Sequence, residues 1–292
     1  VNATLAPLRP GVPATLLILN YNTAALTLAC IDQALPLLDR GWQILVVDNG
    51  STDDSVGAIA SRYPQVEMIE TGRNLGFAGG NNAGLARARG GVIVLMNSDV
   101  IAAPETLREL ESAIMAEEWL GALSPRLVTR DGTPQAFAFG DAPSLPYLLR
   151  RGVGRLLGLR PLHDWAVSIP IEPEWISAAC LAVRHEIIEQ IGGLDERFFL
   201  YFEDTDWCLR MRKAGWRVRY DPRWSVVHLG GASEPGRITA NQLYRESLLA
   251  FYRKHYAPVT VACLATALHL YQWLFRLRER VSGLFRNQSD VR

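Results

Sequence analysis

The sequence predicts an α/β fold, with a mostly parallel central sheet flanked by helices and a helical extension at the C-terminal end. Three observations carry this prediction. Short aliphatic runs, Ala14–Leu19, Trp42–Val47, Val66–Glu70 and Val92–Met96, alternate with segments of helical apolar spacing. The run from Val92 is unbroken, the pattern of a strand buried on both faces. Beyond about residue 235 the alternation stops and long helical patterns take over.

In chain order, Ala14–Leu19 reads as the first strand and ends in Asn20-Tyr21-Asn22. Residues 24–38 have helical spacing, and Trp42–Val47 is a second strand closed by Asp48-Asn49-Gly50-Ser51. Ser51 or Thr52 is placed to cap the next helix, with Asp53 and Asp54 in its first turn. After the strand Val66–Glu70, the segment Asn74–Gly84 reads as a glycine-rich loop leading into a helix through Arg89. The strand from Val92 ends in Asn97-Ser98-Asp99, a rim position where open α/β sheets place ligands, although these residue types also favour plain turns. Helix 104–118, strand Leu120–Val128, helix His185–Ile191, a helix from about Asp204, and strands 215–220 and 224–229 follow. Residues 135–170 are the hardest to assign. Within them, 147–160 mixes four arginines with leucines, fitting either an amphipathic surface segment or contact with an anionic lipid surface.

Composition sets bounds. The 292 residues suit one large domain or one domain plus an appendage, and 49% hydrophobic residues support a sizeable core. Zero net charge argues against a general nucleic-acid binder. Cys30, Cys180, Cys208 and Cys263 are widely spaced, which disfavours a zinc site or disulfide framework and fits a reducing cytoplasm. Residues 1–13 lack a basic region followed by an apolar one, so no signal peptide is expected.

Three polar strand tips, Tyr21/Asn22, Asp48 and Asn97/Asp99, would share one edge of a parallel sheet and point to a nucleotide pocket. The glycine segment lacks Gly-x-Gly-x-x-Gly and follows the third strand, which weakens a dehydrogenase, and no P-loop is present. Further on, Phe198, Phe199, Tyr201 and Phe202 precede Glu203, Asp204 and Asp206. The dipole of a following helix explains Asp206 well enough. Two adjacent carboxylates beside four aromatic rings fit a general base with a raised pKa. His228 is either a hydrogen-bonded histidine or a metal ligand.

Six motifs then occur in order: Ile18-Leu-Asn-Tyr-Asn22, Val46-Val-Asp-Asn-Gly-Ser51, Asn74-Leu-Gly-Phe-Ala-Gly-Gly-Asn-Asn82, Asn97-Ser-Asp99, Gly192-Gly-Leu-Asp195 and Tyr201-Phe-Glu-Asp-Thr-Asp-Trp207. Over residues 14–232 they resemble the family 2 inverting glycosyltransferases of GT-A fold, and most of all the rhamnosyltransferase-type members. The family's Asp-x-Asp metal motif is Asn97-Ser98-Asp99 here, so its first carboxylate is absent. The Gln-x-x-Arg-Trp motif of processive synthases is also absent.

The resemblance implies a role for each position. Asn20, Tyr21, Asn22, Asp48, Asn74, Asn82 and Asn97 would line the nucleotide, with Asp48 on the pyrimidine base. Asp99 and His228 would hold Mg²⁺ or Mn²⁺ against the diphosphate. Asp204 would be the general base, and Trp175, Glu203 and Trp207 would shape the acceptor side. The implied donor is dTDP-rhamnose or a UDP-sugar, and the implied acceptor a hydroxyl of a glycan or lipid-linked glycan. The alternative is a nucleotide-sugar-binding protein that has lost catalysis. Residues 1–234 would form the catalytic domain, with 14–100 its nucleotide-sugar half and 101–234 its acceptor half, and 235–292 the extension. There, Val259–Phe275 is slightly short for a membrane span, and Arg276, Arg278, Arg280 and Arg286 follow. Membrane-surface contact through 147–160 and 258–286 at the inner face of the cell membrane, a homodimer helix, or packing on the catalytic domain all fit it.

Overall fold

The computed structural model describes residues 6–230 and 237–289, the side chains of 237–238 and 274–289 excepted. It forms two compact units, one of residues up to 141 with 165–247, the other of 142–164 with the residues from 248. The first unit is built on an eight-stranded sheet in the order β3-β2-β1-β4-β9-β6-β10-β5. Strands β1 (Ala14–Asn20), β2 (Gln43–Asp48), β3 (Glu67–Glu70) and β4 (Val92–Asn97) are mutually parallel. Strand β9 (Cys180–Arg184) runs antiparallel to β4 and to β6 (Leu120–Val128), and β10 (Arg217–His228) pairs parallel to β6. The short β5 (Val100–Ile101) closes the edge antiparallel to β10. Strands β7 (Phe139–Gly140) and β8 (Trp175–Ile176) form a separate antiparallel pair. Helices α1 (Ala24–Ala34), α2 (Ser55–Arg62), α3 (Gly76–Leu85), α4 (Pro104–Ala116), α6 (His185–Ile191) and α7 (Glu203–Lys213) flank the sheet. The expected mostly parallel α/β architecture is thus present.

The core follows from the aliphatic runs. Residues 92–95 of β4 are fully buried, as are Leu16, Leu17 and Ile18 of β1 and Leu181, Ala182 and Val183 of β9. Each fully buried Val, Leu or Ile side chain contributes about 1.5–3 kcal/mol against exposure. By contrast, edge strand β3 carries Glu67 and Glu70 at its ends, and such charges block further strand pairing.

Four local expectations are corrected. Helix 24–38 becomes α1 followed by a 3₁₀ turn over Leu35–Arg40, because Pro36 has no N–H for an α-helical bond. Helix α2 begins at Ser55, not after Ser51 or Thr52. Asp53 accepts from the Ser55 N–H, while Ser51 and Thr52 bond to the β1 tip instead. The glycine-rich stretch is itself helix α3. A Cβ at Gly84 would lie 2.4 Å from Leu17 Cδ1, and one at Gly80 2.6 Å from Leu19 Cδ1, so the glycines let the helix lie close on β1. The two strands expected at 215–220 and 224–229 are one strand, β10, whose register against β6 shifts between Asp221 and Ser225.

In the second unit, α5 (Leu145–Leu156) forms within the stretch that was hardest to assign from sequence, its Ser144 cap accepting from the Tyr147 N–H. Helix α8 (Arg237–His255) ends in this unit and α9 (Pro258–Ser289) belongs to it. Tyr252 donates its hydroxyl to the Pro143 carbonyl at 2.6 Å, and Gly152 of α5 faces the Tyr271 ring of α9. The side chains of Arg276, Arg278, Arg280 and Arg286, and residues 1–5 of the N-terminal segment, lie outside the described residues. Among the described residues, no helix is long and apolar enough to cross a membrane.

Candidate active site

Parallel pairing puts the polar ends of β1, β2 and β4 on one edge, with Asn20 level with Asp48 and Leu19 level with Asn97. Asn20 is fully buried and fully used. Its Nδ2 donates to Asp48 Oδ1 at 2.7 Å and to Ser51 Oγ at 3.0 Å, and its Oδ1 accepts from Thr23 and Thr27. Asp48 takes a second bond from the Ser51 N–H. Thr23 Oγ1 lies 2.8 Å from Ser98 Oγ, so the network runs from Asp48 to the residue beside Asp99. Asn22 holds a left-handed backbone (φ 54°) while its side chain accepts from the Thr52 N–H. Tyr21 is half-buried beside it. Asn74 accepts from Asn49 and from the Gly76 N–H. Asn49, missed in the sequence reading, ties this loop down by donating to the Gly76 carbonyl and accepting from the Leu75 N–H.

The Asp99–His228 pair is a product of strand register. β5 and β10 pair Val100 with His228, and the Leu229 N–H donates to the Asp99 carbonyl. Residues 129 apart in sequence thereby meet, with His228 Nε2 3.2 Å from Asp99 Oδ1 and 3.4 Å from Asn97 Nδ2. Gln135 Oε1, 2.7 Å from His228 Nδ1, accepts from that nitrogen and turns Nε2 toward Asp99. Gln135 carried no signal in the sequence. The donor set fits a hard divalent cation: neighbouring ligands on an octahedral ion, each about 2.1 Å from it, sit about 3 Å apart. Among the described residues, no cluster of three or more His, Cys, Asp or Glu side chains is present, so the chain offers two such donors here.

Asp204 and Glu203 begin α7. Tyr201 and Phe202, both non-glycine, precede them with φ of 70° each, strain of the kind that gathers at functional sites. Phe199 is drawn onto α3 by the Phe77 N–H, and Gly76 (φ 75°) leaves room for it, since a Cβ there would meet the Phe199 oxygen at 2.4 Å. Glu203 is 5% exposed and its Oε2 has no hydrogen-bond partner. Burial first, then the adjacent Asp204 charge, push its carboxyl well above the usual range. Asp204 is half-buried. Burial lifts its pKa to about 6, while N–H groups of Thr205 and Ala178 pull the other way. The neighbouring Ala179 carbonyl accepts from the Asn97 N–H, so the short segment 178–179 joins the Asp204 carboxylate to the tip of β4.

The remaining expected site residues are placed differently. Asn82 is spent on structure: it accepts from the Leu194 N–H and donates to the Leu194 carbonyl and to Glu196. Trp207 is fully buried and donates to the Gly192 carbonyl, so it supports α7 from the core rather than meeting an acceptor. Asp206, fully buried, is paired with Arg210, which also holds the Ile191 and Gly193 carbonyls. Trp175 is half-buried, with its ring over Gly140 and its N–H on the Asp141 carbonyl.

Residues 15–139 match the family model for glycosyl transferase family 2. Over 225 residues the chain is 34% identical to the N-acetylglucosaminyl-diphospho-decaprenol L-rhamnosyltransferase of Mycobacterium tuberculosis, covering 70% of this chain and 72% of that protein. The chain belongs to glycosyltransferase family 2. This family 2 glycosyltransferase is also 25% identical to rhamnosyltransferase WbbL of Escherichia coli K12 over 226 residues, 74% of this chain and 82% of WbbL. Its fold matches the mannosyltransferase of Pyrobaculum calidifontis solved with GDP-Man and Mn²⁺, at TM-score 0.53 and 18% identity, covering 92% of this chain and 85% of that one. As a family 2 glycosyltransferase it is an enzyme, with Asn20, Asp48, Asn97 and Asp99 grouped at the strand tips of the first unit.

Proposed function

We propose that this enzyme transfers a sugar, with inversion, from a nucleoside diphosphate donor to a hydroxyl of a glycan or lipid-linked glycan acceptor. Two rhamnosyltransferases among its relatives make dTDP-rhamnose the first donor to test and a UDP-sugar the second. The observation that carries the reading is the link between Asp204 and the β4 tip through Ala178 and Ala179, which puts a carboxylate of raised basicity at the rim that holds Asn97, Asp99 and His228.

In this mechanism Asp48 accepts from the pyrimidine base, and the rigid Asn20 network keeps it in place. Asn22, Tyr21, Asn74 and Asn97 border the nucleoside and sugar. Asp99 and His228 would hold Mg²⁺ or Mn²⁺ beside the donor diphosphate. Such a cation supplies neutralisation of the charge that builds on the departing diphosphate. Asp204 accepts the proton of the acceptor hydroxyl as that oxygen attacks the anomeric carbon from the face opposite the diphosphate. Trp175 and Glu203 border the acceptor. Residues 14–100 serve the donor and 101–234 the acceptor, at the inner face of the cell membrane.

A non-catalytic nucleotide-sugar binder is the second reading, favoured by Asn97 in place of a carboxylate. A thermal-shift panel of UDP, dTDP and GDP, each with and without Mn²⁺ or Mg²⁺, tests the donor site. A shift with a pyrimidine diphosphate only in the presence of metal is expected, and no response to any nucleotide overturns the reading. Radiolabelled sugar transfer then separates the transferase from the binder.

A further inference from the structure

We infer that the second unit is a docking surface for an anionic lipid bilayer, built by the exposed faces of α5 and α9. The zero net charge of the whole chain conceals a division. The residues of this unit, 142–164 and 248–292, carry eleven Lys and Arg against three Asp and Glu, a net of +8, which leaves −8 on the other unit. From Ala142 to His163 there is no acidic residue, while Arg150, Arg155 and Arg160 are exposed.

The apolar side chains are distributed as unevenly. Among the described residues, fourteen large hydrophobic side chains are exposed, and seven of them lie in this smaller unit. Leu149 and Val153 of α5 and Leu157 at its C-terminal cap follow one another at four-residue steps and are 50%, 52% and 68% exposed, a stripe along one face. Arg150 borders that stripe. On α9, Val259, Leu270 and Trp273 are 55–69% exposed, and no charged residue occurs between Pro258 and Phe275. An exposed apolar stripe edged by arginine is the pattern of a helix lying at a lipid interface. The absence of a spanning helix among the described residues fits a surface contact.

Charge decides between this occupant and a second copy of the chain. A twofold dimer through this surface would set one +8 unit against another. Anionic headgroups complement the charge, and the acyl boundary accepts the leucines.

The test is flotation of the full chain with phosphatidylcholine vesicles, alone or with about one third phosphatidylglycerol. Binding to the anionic vesicles, weakened by salt, is expected, with little binding to the neutral ones. The triple variant L149S/V153S/L157S, which leaves charge unchanged, should lower partitioning at least about tenfold. In R150E/R155E/R160E the loss should be about fivefold or more per substitution. All six positions are exposed, so both variants should keep the wild-type melting temperature and nucleotide shift. Those readouts keep a failure here separate from a failure of the proposed catalytic site. No flotation, equal binding to neutral and anionic vesicles, an unchanged leucine triple variant, or binding to duplex DNA without binding to vesicles would each overturn the inference.

Discussion

The strand-tip network and the start of α7 treat buried polar groups in opposite ways. At the tips, every polar atom of Asn20 is bonded, and both Asp48 oxygens have donors from the chain. At α7, Glu203 has an oxygen with no partner, and Asp204 has its proton affinity raised by burial. A satisfied network is rigid and holds its side chains in place, whereas a carboxylate whose basicity is raised by burial is poised to take a proton. The largest expected effect breaks the second region and spares the first. Replacing Asp204 with Asn should reduce sugar transfer roughly 100- to 10,000-fold while nucleotide binding by calorimetry stays within about twofold. Transfer unchanged by D204N would remove Asp204 as the base.

The Asp99–His228 pair, the proposed holders of a cation, sharpens the comparison from the other side. H228A or D99N should weaken nucleoside diphosphate binding in Mn²⁺ by on the order of 10- to 100-fold and leave metal-free binding alone, as read by titration calorimetry. Q135A should do the same more weakly, because it frees the imidazole to rotate rather than removing a ligand. If metal-dependent and metal-free affinities fall together, these residues shape the pocket and do not hold a cation.

Breaking the first region should cost stability before chemistry. N20A removes the oxygen that accepts from the Thr23 and Thr27 hydroxyls and the amide that donates to one buried Asp48 oxygen, a loss of about 1–3 kcal/mol by urea denaturation. A neutral N20A would mean that water replaces the amide and that the network is not what holds Asp48.

What could be read from the sequence divides along the same line. Strand tips are legible because an aliphatic run followed by Asn or Asp fixes both the strand and its end, so Asn20, Asp48 and Asn97 were found. The pairing of Asp99 with His228 rests on the β5–β10 register, and no local pattern encodes which residues two strands will oppose. Only the family resemblance supplied it. Helix α3 was misread because glycine is a poor helix former, and the reason for its glycines, close approach to Leu17 and Leu19, lies in β1. Asn82 and Trp207 carry motif-like signals yet work in packing, Asn82 by holding Leu194 and Trp207 by holding Gly192. The charge division was invisible because α5 enters its unit from the middle of the chain.

The smallest effect concerns Glu203, and it tests whether that carboxyl works as a neutral group. Burial and the Asp204 charge both favour its protonated form, so Asp204 ionises first and Glu203 stays neutral beside it. Transfer should rise with pH as Asp204 loses its proton around 6 and then level off. E203Q, an isostere of the neutral acid, should keep turnover within a few-fold and leave that midpoint in place. Stability supplies a second readout. A carboxyl whose folded pKa lies above its unfolded value binds more protons in the folded state, so stability falls as pH rises from the unfolded pKa toward the folded one. The contribution of Glu203 to melting temperature should therefore decline as pH rises, so the melting temperature of E203Q relative to wild type should increase with pH, gaining most at the alkaline end. If instead E203Q abolishes transfer or moves the midpoint by more than about one unit, Glu203 is charged during turnover and shares the proton with Asp204.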